Sequence, residues 1–123
     1  MQEKIKHIKV NDIEYPLVFN LNVMEKIQDE YGTVENWGEL TDGKIKEDGT
    51  RQEINLKAIK FGITEMINEG IDIENENQGN KRAFLTSKQV GRIITELGLE
   101  KISNNIHETV IESTKNDNEE KNV

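Results

Sequence analysis

Between Tyr15 and Gly32, in "YPLVFNLNVMEKIQDEYG", the apolar residues change period. Up to Phe19 they alternate, as in a strand. From Val23 they recur every three or four residues, as on one face of a helix. Asn20, Leu21 and Asn22 alone separate the two regimes. So short a joint folds the helix back beside the strand that precedes it, which points to a mixed architecture.

The strand half belongs to a hairpin. Residues 4–10 and 13–19 read as two strands joined at Asn11-Asp12, residue types that tolerate the positive φ of a two-residue turn. That turn sets Val10 opposite Ile13, Ile8 opposite Tyr15 and Lys9 opposite Glu14, a favourable cross-strand charge pair. One face then carries Ile8, Val10, Ile13, Tyr15, Leu17 and Phe19, while the other is mostly polar apart from Ile5 and Val18. Pattern and turn agree on one register. Pro16 has no N–H for a ladder and belongs at an edge. An isolated hairpin is marginal in water, so the apolar face needs a cover.

Helices supply it. Asn22 with Glu25 reads as an N-cap with an acid in the first turn, Val23, Ile27 and Tyr31 form the stripe, and Gly32 ends the helix. "TVENWGEL" reads as one turn from Thr33 to near Gly38, and residues 41–53 as a polar loop. Leu56, Ile59, Ile63 and Met66 define a longer helix whose cap glycine would be Gly70; Gly62 within it marks a close approach by another element. Residues 72–81 read as a polar connection. Thr86 and Gln89 form a capping box for a helix carrying Val90, Ile93, Ile94 and Leu97 and ending at Gly98. A last helix, Leu99–Ile111, places Leu99, Ile102, Ile106 and Val110 on one stripe. The expected fold is α+β, mainly α: a single domain over residues 1–112 with the hairpin packed on about four helices, followed by a disordered acidic tail, 113–123, with one apolar residue in eleven.

Hydrophobic residues make up 33% of the 123 residues, and mean hydropathy is -0.75, so the core must be small. The net charge of -8 repels a phosphate backbone and argues against a nucleic-acid partner. The absence of cysteine removes disulfides and thiolate zinc sites. "MQEKIKHIKV" has no continuous apolar run of the kind found in a signal peptide, and no stretch approaches the ~20 apolar residues of a membrane helix. The expectation is a soluble cytoplasmic protein with no membrane partner.

Motifs for chemistry fail one by one. In the segment 72–83, Asp72, Glu74 and Glu76 suit the first positions of a calcium loop, but the glycine falls two places late and Ala83 stands where a bidentate glutamate is required. His7 and His107 are far apart in sequence, and no serine sits in a nucleophile elbow. No phosphate-binding glycine motif occurs. No catalytic residue, metal ligand or cofactor is therefore expected. Trp37 reads as a plug of the hairpin–helix junction or as an interface anchor.

Three segments together carry a resemblance. "EYPLVFNLNVMEKIQDEYGTVENWGEL", "IKFGITEMINEGIDIENE" and "LTSKQVGRIITELG" resemble, in order and spacing, the tail assembly chaperones of long-tailed phages and prophages of Gram-positive bacteria. The similarity covers roughly residues 5–112. It implies a short β segment leading through an "LN" joint into helices, and a non-enzymatic role in the host cytoplasm: binding the long, aggregation-prone tape measure protein before tail tube subunits polymerise around it, without remaining in the virion. It also implies, for many members, a longer frameshifted form. The partners implied are the tape measure protein and, as a second candidate, the tail tube protein; self-association stays open. A structural phage component, such as a head–tail completion or tail protein, and an acidic inhibitor protein are the alternatives. The inhibitor would need uninterrupted carboxylates, which Lys57, Lys60, Lys81, Arg82 and Lys88 interrupt. From the residues themselves, Ile102, Ile106 and Val110, at i, i+4 and i+8, form a seam suited to a partner helix, with Trp37 and Phe84 as the other candidate contacts.

Overall fold

The computed structural model describes residues 5–121, with side chains through Ser113. It is α+β and mainly helical. Strands β1 (Lys6–Val10) and β2 (Ile13–Leu17) form an antiparallel hairpin, followed by helices α1 (Leu21–Tyr31), α2 (Val34–Asp42), α3 (Leu56–Gln78), α4 (Ser87–Leu97) and α5 (Leu99–Lys121).

The hairpin has the expected register, with Val10 opposite Ile13, Ile8 opposite Tyr15 and Lys9 opposite Glu14. Asn11 and Asp12 take φ of 51° and 66°, the left-handed conformation that a two-residue turn matched to strand twist requires. Ile8, Val10, Leu17 and Phe19 are buried, while Ile13 beside the turn stays half exposed. Towards the end of β2 the other face is covered too: Pro16 and Val18 are buried, and the Val18 N–H donates to the Met66 carbonyl at 3.2 Å.

The cover is α3, which packs on β2, α1, α2 and α4. Its buried residues come in adjacent pairs four residues apart: Ala58 and Ile59, Gly62 and Ile63, Met66 and Ile67, Gly70 and Ile71. At 3.6 residues per turn a step of four advances the stripe by about 40°, so it winds roughly 120° round the helix over those residues. The first turns consequently face α2, and the later ones face the hairpin. Each partner is received by a glycine. A Cβ on Gly62 would lie 2.2 Å from Cζ2 of Trp37, and one on Gly70 would lie 2.6 Å from Cβ of Pro16.

Several expected boundaries move. Gly70 does not cap a helix; it is a close-contact site inside α3, which continues to Gly79 with its left-handed φ of 70°. Most of the expected polar connection, 72–81, is therefore helical. Helix α2 likewise runs past Gly38 to a left-handed Gly43, making a fifth helix out of the expected single turn. The cap of α1 is Asn20, whose Oδ1 accepts from the Val23 N–H at 3.2 Å, rather than Asn22. The Asn22 side chain instead donates to Glu69, as Asn20 also does, at 2.9 and 2.7 Å. Thr86 and Gln89 form the expected capping box. Helix α5 does not stop at Ile111: no glycine or proline interrupts the sequence before Lys121, and the helix continues to that residue. Of the expected tail, side chains from 114 and the whole of residues 122 and 123 lie outside the described residues. Among the described residues no helix is long and apolar enough to cross a membrane.

Candidate functional site

The residues singled out from the sequence separate in space. Ile102 is fully buried and Ile106 is 5% exposed; both belong to the main core, and Val110 packs against it. The seam of α5 is thus mostly core, facing α2 and α4, rather than a free surface. Helical periodicity is identical for a stripe that meets its own fold and one that awaits a partner. Trp37 is also core. It is 2% exposed, stacks on Phe19 with ring centroids 6.3 Å apart, and its indole N–H donates to the Ala58 carbonyl at 2.9 Å. Of the five candidates, Phe84 alone is exposed, at 57%.

Phe84 projects from an extended stretch between α3 and α4. Two asparagines hold that stretch against α3. Asn68 accepts from the Leu85 N–H and donates to the Leu85 carbonyl, at 2.8 and 2.9 Å. Asn75 does the same for Arg82, at 3.1 and 3.0 Å. The Arg82 guanidinium lies 5.1 Å from the centroid of the Tyr15 ring, which ties the stretch to the hairpin as well. A smaller cavity of about 180 Å³ beside Phe84 is lined by Val23 and Phe84 together with Asn22, Lys26, Glu65 and Asp72.

The larger concavity, about 320 Å³, lies between α2 and α5. Val34, Trp37, Ile106 and Val110 supply its apolar lining, and Glu35, Glu39, Asp42, Lys44 and His107 contribute polar groups. Thr41 and Ser103 join the two helices: the Ser103 hydroxyl donates to the Thr41 carbonyl at 3.3 Å, and the Thr41 hydroxyl donates to the Trp37 carbonyl at 3.0 Å. Both walls are therefore anchored to the core. Gly38 forms part of the lining, and a Cβ there would meet nothing within 4 Å.

No family model, curated protein or solved structure matches this chain.

Gly38 separates this groove from the tight glycine contacts of α3. A glycine inside a helix costs about 1 kcal/mol relative to alanine. At Gly62 and Gly70 the cost admits Trp37 and Pro16. At Gly38 no internal neighbour uses the space, and the backbone does not need a positive φ. The bare backbone instead deepens the groove. Three of the residues singled out from the sequence, Trp37, Ile106 and Val110, line this groove, although the sequence pointed them to another surface. Gly38 was legible only as a helix stop.

Among the described residues no three of His, Asp and Glu are grouped so as to hold a metal ion. His7 and Glu74 share a hydrogen bond of 2.6 Å, and Lys6 bonds Glu108, whose carboxyl is held below the usual range by that ammonium. Both pairs tie β1 to a helix. The Tyr31 hydroxyl is buried without a hydrogen-bond partner, and burial, with the nearby Glu30 charge, pushes its pKa up. Its ring lies against Phe61, with centroids 5.6 Å apart.

Proposed function

We propose that this chain is a non-enzymatic tail assembly chaperone of a long-tailed phage or prophage, acting in the bacterial cytoplasm. It takes an apolar helical segment of the tape measure protein into the groove between α2 and α5. The observation that carries the proposal is the groove itself, with an apolar lining, walls pinned to the core, and a helical glycine that no internal contact requires. Grooves of this kind accept one face of an amphipathic helix, with apolar anchors spaced at three and four residues. The order of the hairpin, the "LN" joint and the helices supports the same family, and the net charge of -8 favours solubility while a sticky client is held.

Co-expression tests the proposal. The chain should keep the tape measure protein in the soluble fraction and co-purify with it. Gly38→Phe fills the groove from a position with open space around it, so it should abolish co-purification while circular dichroism stays unchanged. A tape measure protein that precipitates alike with and without this chain would sink the chaperone assignment. Undiminished capture by Gly38→Phe would move the site away from the groove.

A further inference from the structure

The groove has a charge as well as a shape. Glu35 and Glu39 stand four residues apart on α2, one helical turn, and are exposed along the groove. Asp42 continues the same wall. Among the described lining residues the one lysine or arginine is Lys44, and its ammonium already lies 3.8 Å from Asp42. No ion pair involves Glu35 or Glu39 among the described residues. A helix entering the groove thus lays its apolar face on Val34 and Val110, over the nearly buried edges of Trp37 and Ile106, and brings its flank beside two uncompensated carboxylates.

We infer that the groove selects amphipathic helices whose apolar face is bordered by lysine or arginine recurring at i and i+4. This inference rests on the proposed chaperone function and specifies the chemistry of the segment taken. A basic flank meets Glu35 and Glu39 directly, and the acidic field of the whole chain speeds its approach. An acidic flank meets repulsion at the same two positions.

Three synthetic helices test it. They share an apolar face of Leu and Ala and differ at the flanking positions, which are all Lys, all Gln or all Glu. Trp37 is the chain's sole tryptophan and lines the groove, so its fluorescence follows binding to the full-length protein. The expected order of affinity is Lys over Gln over Glu, with about tenfold or more between the extremes at low salt and a smaller gap at physiological salt. Glu35→Gln with Glu39→Gln should remove the advantage of the Lys helix and leave the Gln helix unchanged. Gly38→Phe should abolish binding of all three. Equal binding of the Lys and Gln helices would overturn the charge preference while leaving the groove as a helix receptor. Binding of the Lys helix that survives Gly38→Phe would also overturn it, as adsorption to acidic surface elsewhere. Failure of every helix to bind would remove the groove as a receptor and the preference with it.

Discussion

Trp37 occupies the space that a side chain on residue 62 would need: Cζ2 of its ring lies 2.2 Å from the Cβ that Gly62 lacks. The fit locks α2 to α3, and the Ala58 carbonyl that accepts the indole N–H fixes the ring's orientation. Gly62→Ala must push the ring outward, and neither the helix backbone nor the stacked Phe19 yields easily. We expect a loss of about 2 kcal/mol, overpacking outweighing the helix-propensity gain. Gly38→Ala should do the reverse and stabilise by up to about 1 kcal/mol, because only propensity changes. Urea denaturation followed by Trp37 fluorescence reads both, and equal shifts in the same direction would refute the contrast.

The same distinction separates Ile106 from Phe84. Ile106→Ala removes a nearly buried core side chain and should cost about 2–4 kcal/mol. Phe84→Ser, at a half-exposed position, should cost under about 1 kcal/mol. Ile106→Asp should lower the melting temperature of the whole domain, which makes it a poor probe of binding. A stable, folded Ile106→Asp protein would show that α5 is less firmly docked than its burial implies.

The asparagine clamps predict a local effect. Asn68→Ala strips the Leu85 N–H of its acceptor, and Asn75→Ala does so for Arg82. Each lost pair should cost about 1–2 kcal/mol. Native-state hydrogen exchange should show faster exchange at Leu85 in the first variant and at Arg82 in the second, with core amides of α3 little changed beyond the global loss. Uniform acceleration everywhere would mean that the stretch has no local opening of its own.

Acid should loosen the tie between β1 and α5. The Glu108 carboxyl titrates below its unfolded value because Lys6 bonds its charged form. Such a group contributes stability above the unfolded pKa and loses it as pH falls through the lowered folded one. The pair is solvent-exposed and screened, so the contribution is small. A carboxyl NMR titration should place Glu108 below the usual glutamate range in the parent protein, and at the usual value in Lys6→Ala. No difference between the two would assign the shift elsewhere.

Tyr31 offers the opposite case, a hydroxyl whose removal leaves nothing unpaired. Its buried oxygen has no hydrogen-bond partner, so Tyr31→Phe should be neutral or stabilising, by up to about 1 kcal/mol. A clear loss in thermal denaturation would reveal a partner for that hydroxyl.

How much of this was legible in the sequence depended on whether local chemistry settled the matter. The hairpin register was, because turn residues and alternation agree. So was the capping box at Thr86, whose two partners are three residues apart. Gly62 was read as a close approach, but Gly70 was not: a helical glycine followed by an isoleucine that could reach back to Met66 looks like a cap until Pro16, 54 positions away, is placed against it. Asn20 and Asn22 are chemically equivalent caps and both donate to Glu69; the extended backbone of Asn20, which lets its Oδ1 accept from the Val23 N–H, separates their roles. The stripe of α5 had the right spacing and the wrong audience, because sequence cannot say whether α2 and α4 already cover it. The groove itself is a gap between helices, and no residue pattern spells a gap.

The two clamps also measure chain length. Asn68 and Asn75 are seven residues apart on a helix rising 1.5 Å per residue, about 10.5 Å in all, while Arg82 and Leu85 are three residues apart on an extended chain, about 10 Å. Helix and strand-like stretch are thus matched like two scales of a vernier, coinciding at two marks. Insertion or deletion of a single residue between 82 and 85 would leave one mark unmatched and turn Phe84 to a different side. The loop between Gly43 and Asn55 closes on itself instead: the Gln52 N–H donates to the Lys44 carbonyl and the Lys46 N–H to the Thr50 carbonyl beside the Ile45–Arg51 bridge, so its tip is paired within the loop rather than matched to a helix. Related chains, as they are found, should vary in length there and hold the interval from Arg82 to Leu85 constant.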